Sequence, residues 1–234
     1  MHPRSPAAYA SRLNGRLSRQ AVGLAFDGAN EDGCREDDFL ALQEVTKGEP
    51  PDSCFQSRGD ELKQIGLRYS GNATPGPEHA DGSQSIAAEI EYEGEQFQIL
   101  VVWGKPKPSY KLDVLSTLDF YSSWIARKPT VVLGDFNLDP KIRGAGSDFF
   151  VVNGRLNELG LFSACHMHLN VHHGYETHPT LLFNWGKGPR AACFHCDFVY
   201  LPQRWLGRVQ SVTVEPVFGL HEFSDHRPVT VELK

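Results

Sequence analysis

Four short blocks of polar side chains stand at the edges of apolar runs, and together they could do chemistry. Phe39-Leu40-Ala41-Leu42 runs into Gln43-Glu44, and Val131-Val132-Leu133-Gly134 runs into Asp135-Phe136-Asn137. His195-Cys196-Asp197 leads into Phe198-Val199-Tyr200-Leu201, and Glu222-Phe223-Ser224-Asp225-His226 precedes a last apolar run at Val229. A charge at one strand end usually just faces water. Four such blocks on one rigid scaffold can instead be aimed into a common cleft. Carboxylates with an amide are hard oxygen donors, suited to Mg²⁺ or Mn²⁺ rather than zinc. An Asp–His pair supplies an oriented imidazole for proton transfer or charge stabilisation. A hard divalent ion with these groups equips a site for in-line attack of water on a phosphate ester.

The elements that must position these residues are mostly strands. Phe39–Gln43 reads as a short apolar strand, and Ser85–Tyr92 with Gln96–Trp103 as a hairpin turning at Glu93-Gly94-Glu95. Tyr110–Ala126 carries apolar residues at helical spacing between Pro108 and Pro129, which predicts an amphipathic helix. Thr130–Leu133 is a buried strand and Leu156–Leu161 a short helix ending at Gly160. Thr180–Phe183, Ala192–Leu201, Val209–Phe218 and Val229–Leu233 are further strands, and Gly71–Gly82 is a long Gly/Pro-rich loop. Mixed strands and helices without a linker predict a single α/β layered domain over residues 1–234, its first 20 residues poorly defined.

Composition narrows the class. The chain has 234 residues with 40% hydrophobic and 22% charged side chains, which excludes wholesale disorder. No apolar run reaches the ~20 residues of a membrane span, and Met1–Tyr9 lacks the apolar stretch of a signal peptide. Five cysteines at irregular spacing make a poor disulfide framework, so reduced thiols in a cytoplasmic protein are expected. Cys193 and Cys196 have CxxC spacing but no second pair to complete a zinc site. The formal charge of −6 argues against a generic nucleic-acid coat. It is uneven, however: residues 1–95 carry 9 basic and 17 acidic side chains, the remainder 14 and 12.

The polar blocks, in this order, resemble the endonuclease/exonuclease/phosphatase superfamily, the DNase I-like proteins. The family pattern is an Asn on the first strand, Gln-Glu ending the next, Gly-Asp-X-Asn in mid-chain, a late Asp-bearing strand and a terminal Ser-Asp-His. It is matched by Asn14, Gln43-Glu44, Gly134-Asp135-Phe136-Asn137, Asp197-Phe198 and Ser224-Asp225-His226. The resemblance implies a four-layered α-β-β-α sandwich of two mixed sheets packed face to face. It implies Glu44 as principal metal ligand, with Asp225 and Asn14 also at the metal. Asp135 is similar to the carboxylate that orients or deprotonates the attacking water, and Asn137 to its phosphate-contacting neighbour. His226 resembles the imidazole that bonds the scissile phosphate or acts as base, with Asp197 as its partner. His195 stands where several nuclease members carry Arg and would face the phosphate as a cation. Trp103 stands where many members carry a catalytic His or Tyr.

His166, His168, His172, His173 and His178 crowd a short stretch. It lacks the His-X-His-X-Asp-His order of a metallo-β-lactamase-type zinc site, and reads as a loop feeding the rim of the active site. The expected activity is Mg²⁺- or Mn²⁺-dependent phosphodiester hydrolysis, with DNA the favoured substrate, RNA possible, and the protein a monomer. A phosphomonoesterase or an inositol- or lipid-headgroup phosphodiesterase is the alternative. Lys105, Lys107 and Lys111, and then Lys187, Arg190, Arg204 and Arg208 beside Trp185 and Trp205, offer basic and aromatic groups suited to a sugar-phosphate backbone.

Overall fold

The structure is a computed structural model that describes residues 20–26, 39–45, 55–59, 64–69, 71–79, 84–184, 191–215 and 224–234. The first half supplies β1 (Gln20–Phe26), β2 (Phe39–Val45), β3 (Phe55–Gly59), β4 (Gln64–Arg68), β5 (Asn72–Pro75), β6 (Gln84–Tyr92) and β7 (Glu95–Trp103). Then come α1 (Tyr110–Ile125), β8 (Thr130–Asp135), α2 (Gly146–Glu158), β9 (Leu161–Ser163) and α3 (Ala164–Leu169). The chain continues through β10 (Leu181–Phe183), β11 (Ala192–Phe194), β12 (Asp197–Pro202), a 3₁₀ turn (Gln203–Arg208), β13 (Val209–Val214) and β14 (Val229–Leu233). One six-stranded sheet runs β13-β14-β1-β2-β4-β3 and a second β5-β6-β7-β8-β12-β9. Both are mixed, with β1–β14 and β7–β8 parallel and their other pairs antiparallel.

Alternation along the strands builds two cores. Val22, Leu24, Phe39 and Ala41 of the first sheet meet Ile86, Ile99, Val101, Val131, Leu133 and Val199 of the second. The intervening residues Leu100, Val102, Val132, Phe198 and Tyr200 face the opposite way, onto α1 and α2. Strands β7 and β8 are thus buried on both faces, which is why they read as unbroken apolar runs rather than alternating ones. Ser109 caps α1 by accepting from the Leu112 amide at 3.2 Å. Val114, Leu118, Tyr121 and Ile125 then fall on its buried stripe. The fold is α/β with two mixed sheets face to face, as expected. The described residues show three layers, the helices α1 and α2 lying over the second sheet.

Several elements differ from the sequence expectation. The first described strand is β1 at Gln20–Phe26, so Asn14 precedes it and lies outside the described residues. Asn72–Pro75, inside the stretch read as loop, is an edge strand on β6, where Pro75 is tolerated. The short helix at Leu156 begins ten residues earlier, at Gly146. Ala192–Leu201 is two strands: β11 pairs with β10, whereas β12 pairs with β8 and β9. The hairpin is present, but its turn is the two residues Glu93 (φ 48°) and Gly94 (φ 79°) in the left-handed region, Glu95 already pairing with Tyr92. Trp205 is no exposed stacking platform. It is buried against Phe97 at 5.4 Å between ring centroids, with the Arg208 guanidinium over its ring.

Candidate active site

A row of residues crosses one end of the second sheet. Register pairs Gln84 with Trp103, Trp103 with Asp135, and Asp135 with Asp197. The two carboxylates are therefore direct cross-strand neighbours at the ends of β8 and β12, both fully buried. Gly134, just before Asp135, lets β8 run close against β7 and Gln43. Its φ is 137°, and a Cβ there would meet the Val102 carbonyl at 2.0 Å and the Gln43 amide nitrogen at 3.2 Å. Gln43, buried in β2 of the other sheet, thus reaches the same strand end.

Asp135 is held from both sides. Asn137 turns into the left-handed region (φ 53°), a conformation Asn tolerates better than most residues. Its backbone amide donates to Asp135 Oδ1 at 2.8 Å and its Nδ2 to Oδ2 at 2.7 Å. Nδ2 also reaches the Gly104 carbonyl at 3.3 Å, beyond Trp103. The Gly134-Asp135-Phe136-Asn137 block is a closed hydrogen-bonded turn that presents one carboxylate.

The opposite carboxylate organises the imidazole. His226 Nδ1 lies 2.8 Å from Asp197 Oδ2, and both side chains are at most 5% exposed. The His226 amide bonds the Ser224 hydroxyl at 2.9 Å. On either side, Leu182 donates to the Asp225 carbonyl and Arg227 to the Thr180 carbonyl. Thr180 Oγ1 accepts from both the Cys196 and Asp197 amides, at 2.9 and 3.1 Å. Asp139 closes the other flank, accepting from the His195 amide at 2.6 Å and from the Lys141 amide. These bonds fix the residues between β11 and β12, where the chain passes from one sheet to another just before Asp197. Sequence reasoning missed the roles of Thr180 and Asp139. The nearest signals were Pro179-Thr180 and the second Asp of Gly-Asp-Phe-Asn-Leu-Asp, and neither has a local pattern that marks it.

Burial alone would push His226 toward the neutral form, but Asp197, with Asp135 and Asp225, raises it to about 9. At neutral pH the ring is an imidazolium with Nδ1 facing Asp197. Asp197 Oδ1 is buried without a hydrogen-bond partner among the described residues. Ligand atoms of Asp135, Asp197 and His226 lie within 4.8 Å of one another. Two buried carboxylates, one with an uncommitted oxygen, are a donor set that fits a hard divalent cation.

The structure thus brings together Asp135, Asn137, Asp197 and His226. Glu44 is in β2 next to Gln43, but its side chain lies outside the described residues. Asp225 is exposed and stands apart from the three clustered ligands, though its charge acts on His226. His195 turns away from the carboxylates. Its ring packs against Phe198 and edge-on to His166, at 5.0 and 5.4 Å. Burial chiefly, with His166 nearby, depresses it to about 4, so it is neutral at pH 7. Trp103 is 5% exposed, with the Lys105 ammonium over its ring. Lys111 is engaged with Asp148 at 2.6 Å.

Solved structures share this arrangement of two mixed sheets with flanking helices. The 3′ phosphatase NExo from Neisseria, solved with a product DNA hairpin, matches with a TM-score of 0.64 at 16% identity, covering 92% of this chain and 99% of that one. An AP endonuclease from Archaeoglobus fulgidus matches with a TM-score of 0.61 at 14% identity, covering 90% and 97%. An endonuclease/exonuclease/phosphatase family protein from Leptotrichia buccalis matches at 0.56 and 12%, covering 92% and 99%. No protein-family model and no curated protein matches the sequence. At these identities the likeness establishes a shared fold across nearly the whole chain.

Proposed function

We propose that this protein is a divalent-metal-dependent phosphoesterase of the DNase I-like group, hydrolysing phosphodiester bonds in DNA by in-line attack of water. The observation that carries the reading is the Asp197–His226 pair set directly across from the Asn137-clasped Asp135. Asp197 accepts from Nδ1, which leaves Nε2 of His226 for the substrate. As an imidazolium, it donates a charged hydrogen bond to a non-bridging phosphate oxygen as negative charge builds there. That role leaves proton acceptance to Asp135. Both of its oxygens are fixed by Asn137, so its orientation toward a water needs no rearrangement. Asn137 itself stands beside the phosphate position.

By the family resemblance, Mg²⁺ or Mn²⁺ would be held by Glu44, with Asp225 and Asn14 as further ligands; among the described residues, Asp135 and the uncommitted oxygen of Asp197 are the clustered carboxylates that suit it. When bound, the ion supplies positive charge to the phosphate and the leaving oxygen. His195, neutral and packed on Phe198, supports the wall of the site from behind. DNA is favoured because one structural neighbour is a 3′ phosphatase solved with a product DNA hairpin and another is an AP endonuclease. The phosphatase also keeps monoester hydrolysis as the second reading. The described cysteines are free thiols, which suits a reducing, cytoplasmic setting. No described helix is long and apolar enough to cross a membrane.

A substrate panel tests the choice: plasmid, single-stranded DNA, RNA, 3′-phosphorylated DNA, inositol phosphates and a chromogenic diester, each with Mg²⁺, Mn²⁺ or EDTA. Metal-dependent cleavage of DNA is the expected result. Hydrolysis confined to monoesters or inositol phosphates moves the assignment to the second reading.

A further inference from the structure

A second cluster of potential ligands lies outside the proposed catalytic machinery, in the histidine-rich stretch. His166 on α3, His173 and Glu176 bring ligand atoms within 4.8 Å of one another. The His166 and Glu176 side chains are 5% and 4% exposed. Ser163 Oγ lies 2.7 Å from His166 Nδ1, and Nε2 lies 2.9 Å from Glu176 Oε1. The Gly174 amide steadies the same carboxylate oxygen at 2.7 Å. The His173 ring stacks on His166 with centroids 3.7 Å apart.

Ordinary packing leaves this cluster poorly satisfied. His173 Nδ1 and Glu176 Oε2 are buried without a hydrogen bond among the described residues. Lys141 reaches only within 3.7 Å of Glu176 Oε2, from a side chain 39% exposed that can turn to solvent. Unmet polar atoms buried in such a cluster are costly unless something binds there. Burial and His166 push His173 down to about 3. Glu176 stays ionised: burial works against it, but the bonds from His166 and Gly174 hold it at about 2.

We infer that His166, His173 and Glu176 form a second, transition-metal site of the zinc class, separate from the hard-cation site at the strand ends. Two imidazoles and one carboxylate are borderline donors that prefer Zn²⁺ to Mg²⁺. Ser163 is the outer partner that such a histidine requires: with the proton on Nδ1 donated to Ser163 Oγ, Nε2 presents its lone pair. Binding replaces the hydrogen bond between Nε2 and Glu176 Oε1: the single ring proton of His166 then sits on Nδ1, where Ser163 Oγ accepts it, and water completes the coordination. His195 walls the site. The metal would pin the segment from α3 to Thr180, whose hydroxyl holds the Asp197 amide.

The site stands independently of the phosphoesterase reading, and its test does not use catalysis. The full chain, stripped with chelator and returned to excess Mg²⁺, is titrated with Co²⁺. The expected result is one equivalent bound with ligand-field absorption in the visible, displaced by Zn²⁺. His173→Ala and Glu176→Gln each weaken this binding at least about tenfold, whereas His226→Ala retains it. Absent Co²⁺ absorption overturns the site, as does absorption unaffected by the first two variants or lost in the third. Should those two variants lose their native circular dichroism, histidine acylation mapped on the unsubstituted protein decides. Protection of His173 by Zn²⁺ supports the site, and an unchanged modification rate overturns it.

Discussion

His226 is the residue on which the protonation chemistry turns. Its ring, held at about 9 against an ordinary 6.5, binds a proton more tightly folded than unfolded. Its contribution to stability is therefore complete below about pH 6.5 and disappears as pH rises through about 9, at most about 3 kcal/mol. Chemical denaturation of the metal-free protein across this window is expected to show that decline, and His226→Gln to flatten it. A slope unchanged in the variant means that the pair with Asp197 does not hold the proton. Asn137→Ala is the companion experiment. It removes the amide that fixes Asp135 Oδ2 and puts a less tolerant residue at φ 53°. Stability falls by about 1–2 kcal/mol, and turnover falls further than the melting temperature explains. Asp135, Asp197 and His226 were readable from sequence because each ends or begins an apolar run. Thr180 and Asp139 were not, because their partners, the amides of residues 195–197, are distant in the chain and no local periodicity signals them.

At the scale of elements, the junction of β8, β11 and β12 decides whether two carboxylates face each other. Thr180→Val keeps the volume but leaves two buried amides, of Cys196 and Asp197, without their acceptor. It should cost about 1–3 kcal/mol, measured by urea denaturation, and lower kcat with little change in KM. Gly134→Ala forces a Cβ toward the Val102 carbonyl at a φ of 137°. A loss of at least about 2 kcal/mol is expected; a neutral substitution would mean that the strand end is not held as described. These junctions also explain which elements could be read from sequence. The β6–β7 hairpin and α1 are specified by local turn and cap chemistry, Glu93-Gly94 and Ser109. The start of α2 lacks a side-chain cap at Ala145 and opens on Gly146, with a second helix-weakening glycine, Gly154, inside, so nothing local announces it. Strands β11 and β12 read as one run because only long-range bonds divide them.

For the whole molecule, two sheets share one apolar core while α1 and α2 cover the second sheet from outside. The site sits where strand ends of both sheets meet, with Gln43 from one beside Gly134 of the other. Catalytic geometry should therefore depend on sheet packing. Leu133→Ala, fully buried between the sheets one residue before Gly134, should destabilise by about 2–5 kcal/mol. The overall charge of −6 misleads at this scale. Hairpin acids are engaged locally, Glu89 by Lys128 and Glu95 by Arg208, while the proposed site concentrates its carboxylates where a cation would balance them.

The most direct test of metal-assisted phosphoester hydrolysis by this site is the initial rate on a chromogenic phosphodiester with Mg²⁺ or Mn²⁺. It compares the unsubstituted protein, the same protein in EDTA, and His226→Ala with its fold verified. EDTA should abolish turnover, and the substitution should lower it by about a hundredfold to ten-thousandfold. Turnover that survives both treatments would contradict the account.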